Sequence, residues 1–248
     1  MAQVQKTLFG KTSLGEYLNA GEDVHLKVAA NVLKIPYEEA LQRYRAGDEE
    51  VAKARKNAKP VNFGGMGGMG AKTFRLTRLK EGEVWEIREI KEVQKAWKEA
   101  QPELNDFFAL AAHEIKNGPC MIKTIGWGRL RTVHTYSQNC NTKFQGPTSD
   151  GAKNAVCEVV RQCYVDTESP LYGCRLVNFV HDELILEIPD DPKMYETRMQ
   201  RLCQVMIDEY NRITPDYPVK VDPVFMRRWS KKAELIRDGK GNIVPWDC

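Results

Sequence analysis

No stretch of 18 consecutive apolar residues occurs in the 248-residue sequence, and the N-terminus lacks the charged-then-apolar pattern of a secretory leader. A membrane-spanning helix and a signal peptide are therefore not expected, and a soluble, cytoplasmic protein is. The seven cysteines are odd in number, irregularly spaced and contain no CxxC pair. This argues against a disulfide framework or a structural zinc site and for reduced thiols. The GxxxxGK[ST] phosphate loop is absent, as are internal repeats and low-complexity tracts. Strong net charge is lacking too. At +3 and a pI near 8.4, the global balance says nothing about an acidic partner. Local clusters say more: Lys53, Arg55, Lys56 and Lys59 in one stretch, and Arg227, Arg228, Lys231 and Lys232 in another.

With 42% hydrophobic residues, the chain can bury one sizeable core or two small ones. Helices are expected at roughly 3–20, 24–34 (capped by Asp23 and ended by Ile35-Pro36), 37–46 and 48–59. A long amphipathic helix or helix pair, hinged near Pro102, is expected over 91–117. After Gly118-Pro119 the pattern changes. MIKTI and RLRTVHTY alternate apolar and polar residues around Gly126-Trp127-Gly128 and predict a hairpin. A helix at 148–165, a second hairpin over 174–188 turning at His181-Asp182-Glu183, a helix at 192–211 and a loop-rich tail complete the reading.

Two segments carry candidate chemistry. In VNFVHDELILEIP, Asp182 and Glu183 sit between two apolar strands. Carboxylates at a strand tip are rigidly placed hard oxygen ligands, suited to Mg²⁺, which takes one or two protein carboxylates and fills the rest with phosphate and water. An ordinary polar hairpin turn reads the same way. A metal-dependent phosphohydrolase also uses a His-Asp pair, but it needs further ligands, and His25, His113 and His134 stand at no ligand spacing.

The second segment is RKNAKPVNFGGMGGMGAKTF. Arg55, Lys59 and Phe63 are spaced i, i+4, i+8 and share one helix face. Two cations one turn apart suit a polyphosphate, and the aromatic one turn on suits a sugar or base. The glycines that follow allow a nucleotide or nucleic acid close to the backbone. A solvated helix face followed by a flexible loop is the competing reading. Pro60 removes a backbone donor and clashes with the Lys56 carbonyl, so a kink or a junction of two pieces is expected there.

Together these segments resemble DNA polymerase family A, the family of bacterial DNA polymerase I and its phage relatives. RKNAKPVNFG is similar to the fingers-helix motif R-x-x-x-K-x-x-x-F-G, and VHDELILEI to the palm motif V-H-D-E. GEDVHLKVAANVL resembles G-x-D-x-H-x-x-x-A, and NTKFQGPTSDGAKNAV resembles N-x-x-x-Q-G-x-x-[AS]-D. The four motifs stand in family order over about residues 20–190, and the closing MRRWSKK is similar to phage members.

The resemblance implies an α+β fold: a helical fingers subdomain inserted in an antiparallel β palm flanked by helices, an incomplete polymerase right hand. Residues 1–34 would lead from palm to fingers, 35–120 would form the fingers, and 121–248 the palm. It implies a DNA polymerase using two Mg²⁺ ions, with Asp182 and Glu183 as metal-binding carboxylates and Arg55, Lys59, Phe63 and His25 on the incoming dNTP. Asn141, Gln145 and His181 would touch primer-template DNA.

Gly67 stands where many relatives place an aromatic beside the template base, which puts template positioning in question. The family's other catalytic Asp lies in a D-Y-S-x-x-E-[LM]-R motif that these residues do not contain. A split enzyme is expected, with an N-terminal polypeptide supplying that motif, the thumb and the exonuclease. A catalytically silent DNA-binding subunit is the alternative. A single-subunit RNA polymerase shares the broad architecture, but the NFG pattern favours the DNA enzyme.

Overall fold

A computed structural model describes residues 1–247. Ten helices and three two-stranded antiparallel sheets are present among the described residues. They divide into two compact units, Met1–Pro147 and Thr148–Cys248. None of the described helices is long and apolar enough to cross a membrane.

The first unit contains α1 (Ala2–Phe9), α2 (Ser13–Asn19), α3 (Val24–Leu33), α4 (Tyr37–Arg45), α5 (Glu49–Met66), α6 (Ala71–Lys80), α7 (Ile87–Ala100) and α8 (Glu103–Glu114). These are followed by the hairpin of β1 (Cys120–Lys123) and β2 (Leu130–Val133), and by the start of α9 (Tyr136–Tyr164). α3 lies at the centre. The Asp23 carboxylate caps it by accepting from the backbone N–H groups of His25 and Leu26, and Lys34 in the left-handed region closes it. Leu26, Ala29 and Ala30 pack with Ala40 of α4 and Val51 of α5. Val28 packs with Ala58 and Val61 of α5 and with Val93 and Trp97 of α7.

The single helix expected near 3–20 is two. Gly10 adopts φ 73° and ends α1, and Thr12 starts α2 by accepting from the Gly15 N–H. The expected pair around Pro102 is α7 and α8. α5, expected to end near residue 59, runs on through Pro60 to Met66. α6 has no counterpart among the expected helices, and α9 begins twelve residues before the expected start, because Gly146 and Pro147 have the character of breakers.

The second unit holds the rest of α9, the hairpin of β3 (Arg175–Val180) and β4 (Glu183–Glu187), α10 (Tyr195–Asn211), and a small hairpin of β5 (Ile236–Arg237) and β6 (Ile243–Val244). Its core joins Val159 and Cys163 of α9 to Leu171, Cys174 and Val205, with Leu176, Leu184 and Leu186 of the hairpin packed against them. The β3–β4 register shifts between Leu176 and Asn178, a bulge at Val177 that leaves this side chain largely exposed. The six described cysteines are free.

Candidate nucleotide face and carboxylate hairpin

α5 presents the first set of candidate residues. It begins at Asp48, whose carboxylate accepts from the N–H groups of Glu50 and Val51. Val51, Ala58 and Val61 turn inward at helical spacing, which leaves Lys59 and Phe63 exposed, with Phe63 at 65%. The Phe63 ring lies 5.8 Å from the His25 ring, tilted by 55°. Arg55 does not point freely into solvent. Its Nη2 lies 2.6 Å, and its Nε 2.8 Å, from Asp23 Oδ2, and its guanidinium covers the Tyr44 ring at 5.2 Å. Lys59 makes no ion pair among the described residues. The structure thus brings Arg55, Lys59, Phe63 and His25 together on one face of α5 and the start of α3.

The electrostatics of this face are interlocked. Burial pushes the Asp23 carboxyl up, but the Leu26 N–H, the Arg55 guanidinium and the His25 N–H outweigh it and hold it below the usual carboxylate range. Burial pushes His25 down. The Asp23 charge opposes this, while the Arg55 and Lys59 charges reinforce it. His25 Nδ1 lies 2.7 Å from the Asn62 amide nitrogen. Asn62 is buried and is not among the residues expected at the site. It stands next to Phe63, but no spacing rule links it to His25.

The glycines after Phe63 serve packing. A Cβ on Gly65 would sit 2.6 Å from the Trp97 ring, one on Gly67 would sit 2.7 Å from Asn141 Oδ1, and one on Gly68 would sit 2.5 Å from the Tyr136 ring. The end of α5 is therefore wedged between α7 and the first turns of α9. The expectation that these glycines open the backbone to a nucleic acid is corrected for these three, since side chains of the protein already fill the space. Gly67, the position of the expected aromatic, lies directly against Asn141, so the structure joins two candidate segments 74 residues apart. Gln145, one turn beyond Asn141, is exposed.

The second set belongs to the Thr148–Cys248 unit. Val180 pairs with Glu183, so the β3–β4 loop is His181-Asp182, and Glu183 opens β4 rather than sitting in the turn. His181 has φ 58°, a left-handed conformation in a residue that carries a Cβ. Such a residue costs on the order of 1 kcal/mol or more and persists only where its surroundings fix it. His181 and Asp182 are exposed. Burial and the charge of Asp182 raise the Tyr210 hydroxyl above its ordinary value. Asp182, Glu183 and Tyr210 border an open groove between β4, α10 and residues 219–227. Glu183 has a partner that the sequence did not reveal: Trp229 Nε1 donates to its Oε1 at 3.1 Å. The segment read as a basic tail is thus tied to the hairpin tip.

Among the described residues no three His, Cys, Asp or Glu side chains converge as a metal cage. Two adjacent carboxylates, one exposed at a turn, instead match an ion held largely by substrate phosphate, as Mg²⁺ usually is. The donor set fits Mg²⁺ on those terms, with Asp182 as the available ligand and Glu183 half engaged.

A family model described as DNA polymerase family A matches residues 4–231. No curated protein matches the chain. Among solved structures, the chain is similar to the POL domain of Pol1 from M. smegmatis in complex with DNA primer-template and dNTP, with a TM-score of 0.63 and 20% identity. The match covers 88% of this chain and 36% of that one. At that identity the likeness is one of fold, and the chain spans little more than a third of the protein it resembles.

Proposed function

This chain belongs to DNA polymerase family A, and from that premise we propose that it serves template-directed DNA synthesis, transferring a nucleotide from a dNTP to a primer 3′-hydroxyl. The observation that carries the proposal is the face of α5, where Lys59, Phe63 and the Asp23-tethered Arg55 gather with His25. A solvated helix face would not place an exposed aromatic against a half-buried imidazole beside two cations. Lys59 and Arg55 meet the triphosphate, His25 donates to it, and Phe63 covers the sugar and base. Residues 35–120 act as fingers, 121–248 as palm, and 1–34 as the lead-in from palm to fingers.

In the reaction the primer 3′-hydroxyl loses its proton to solvent, its oxygen forms a bond to the α-phosphorus, the bond from that phosphorus to the bridging oxygen breaks, and pyrophosphate leaves. Negative charge gathers on the departing phosphates, where Lys59 and Arg55 lower its cost. Asp182, with Glu183, would hold Mg²⁺. Two bound ions would acidify the 3′-hydroxyl and neutralise the leaving group. His181, Asn141 and Gln145 contact the primer-template. These 248 residues contain no D-Y-S-x-x-E-[LM]-R segment, and the second catalytic carboxylate lies outside them.

Lys59→Ala tests the nucleotide face. Lys59 is exposed and makes no ion pair among the described residues, so its loss changes stability by no more than about 0.5 kcal/mol. A lost charge-assisted contact, worth about 1.5–3 kcal/mol, lowers kcat/KM for dNTP by roughly 10- to 150-fold while primer-template affinity holds. Unchanged dNTP kinetics with weakened DNA binding would place Lys59 on template phosphate instead.

A further inference from the structure

His25 has two ring nitrogens, and the buried side of the site decides which one carries the proton. Nδ1 lies 2.7 Å from Asn62 Nδ2. Asn62 Oδ1 lies 3.4 Å from Gln101 Nε2. Asn62 is 3% exposed and Gln101 is fully buried, so neither amide exchanges these partners for bulk water. The order of donors follows. Gln101 donates to the Asn62 oxygen, which turns the Asn62 NH₂ toward the ring, and Nδ1 must accept. Amide orientation is assigned from such a chain, and one further group supports this direction. As it stands, the Gln101 carbonyl oxygen is the group without a partner. Reversing both amides would instead bury an unpaired NH₂, and buried donors are left unpaired more rarely than carbonyls. A neutral imidazole that accepts at Nδ1 holds its proton on Nε2, which lies on the side of the ring away from Asn62.

We propose that Asn62 and Gln101 are positioning residues that hold His25 as the neutral Nε2–H tautomer, so that Nε2 donates a hydrogen bond to an oxygen of the incoming nucleotide's triphosphate. The inference rests on the reading of the α5 face as a triphosphate site and assigns the buried groups behind it. Charge on this face comes from Arg55 and Lys59, and His25 supplies a directed donor. Protonating Nδ1 would set an N–H against the Asn62 NH₂, a contact of two donors. The charged groups facing the ring are Asp23, Arg55 and Lys59, and burial disfavours the imidazolium as well.

The test uses the 248-residue chain itself. Long-range proton–nitrogen correlation spectra of its four histidines, with His25 assigned by its loss in His25→Gln, report the tautomer directly. The expected result is an Nε2–H signature above neutral pH. An Nδ1–H signature would overturn the proposal whatever the variants do.

Asn62→Asp, which is nearly isosteric, supplies an acceptor to Nδ1. It is expected to move the proton to Nδ1 and raise the His25 pKa, because a carboxylate favours the charged ring. Below that raised pKa the imidazolium still donates from Nε2. Above it, Nε2 has only a lone pair. The variant's affinity for inorganic tripolyphosphate and for dATP is therefore expected to fall about tenfold or more as pH rises through that raised pKa. The wild type stays flat, and Asn62→Asp/His25→Gln loses the pH dependence.

An Asn62→Asp spectrum still showing Nε2–H would overturn the positioning role. A tautomer that moves as expected, with tripolyphosphate and dATP affinity flat in pH, would overturn the donor role and count against the triphosphate reading of the face, while leaving the positioning geometry standing.

Discussion

Gly65→Ala puts the packing of the nucleotide face to a quantitative test. Gly65 lies in the last two turns of α5, and an added Cβ would stand 2.6 and 2.7 Å from two carbons of the Trp97 ring. Carbon atoms rest at about 3.5–4.0 Å, so something must yield by about 1 Å. Trp97 cannot swing away. It is 1% exposed and packs among Val28, Ala58, Val61 and Val93. Overpacking of this kind costs about 1–3 kcal/mol, and the better helix propensity of alanine returns up to about 1 kcal/mol. Taken at the middle of both ranges the net loss is about 1.5 kcal/mol, which for a chain of this size lowers Tm by roughly 3–6 °C. Gly239→Ala is the control, since nothing lies within 4 Å of its Cβ and its φ is not positive. Its stability should stay within about 0.5 kcal/mol of wild type. Thermal melts of the three proteins decide the matter. A Gly65→Ala melt at or above wild type would show that α5 and α7 do not approach as closely as described, and the placement of Lys59 and Phe63 would lose its support.

Two further changes probe the electrostatics. Asp23→Ala removes the α3 cap and the tether of Arg55, costing about 1–2 kcal/mol at neutral pH. Because the Asp23 carboxyl is held below the usual range, its stabilisation is present above the ordinary carboxylate pKa and disappears as pH falls through the lowered value. Wild-type and variant melting curves should therefore converge in acid, and a gap that persists there would rule out the charged pair as the cause. Trp229→Phe keeps the ring and deletes the N–H donated to Glu183. In the mixture with a polypeptide bearing the D-Y-S-x-x-E-[LM]-R motif, it is expected to lower kcat a few-fold, on the order of 1 kcal/mol, with Tm and dNTP KM nearly unchanged, and unaltered steady-state kinetics would leave Trp229 no part in holding the carboxylate.

What could be read from the sequence was what is encoded locally. Asp23 before an apolar helical pattern, and Ile35-Pro36 after it, gave α3 almost to the residue. The two apolar runs flanking HDE gave the β3–β4 hairpin. The i, i+4, i+8 spacing of Arg55, Lys59 and Phe63 put them on one face because helix geometry alone fixes that relation. At four glycines the difference between expectation and structure has one cause. Gly65, Gly67, Gly68 and Gly146 look like breakers, yet each is a point where a helix meets another side chain: Trp97, Asn141, Tyr136 and Thr124. Only tertiary contact reveals that role. α6 buries Phe74 alone among its side chains, and its pattern was too weak to show. The pairing of His25 with Asn62 across 37 residues, and of Trp229 with Glu183 across 46, left no periodic trace.

Primer extension tests the central claim most directly. The measurement compares the pure 248-residue chain, the chain with a polypeptide bearing the D-Y-S-x-x-E-[LM]-R motif, and that mixture carrying Asp182→Asn. The expected result is no extension by the chain alone, extension by the mixture, and its loss in the variant with primer-template affinity kept, because affinity comes mainly from Lys and Arg contacts to phosphate. Extension by the chain on its own, or an Asp182→Asn mixture retaining more than about a tenth of the rate, would contradict the assignment of one catalytic carboxylate to this hairpin and the other to a segment outside these 248 residues.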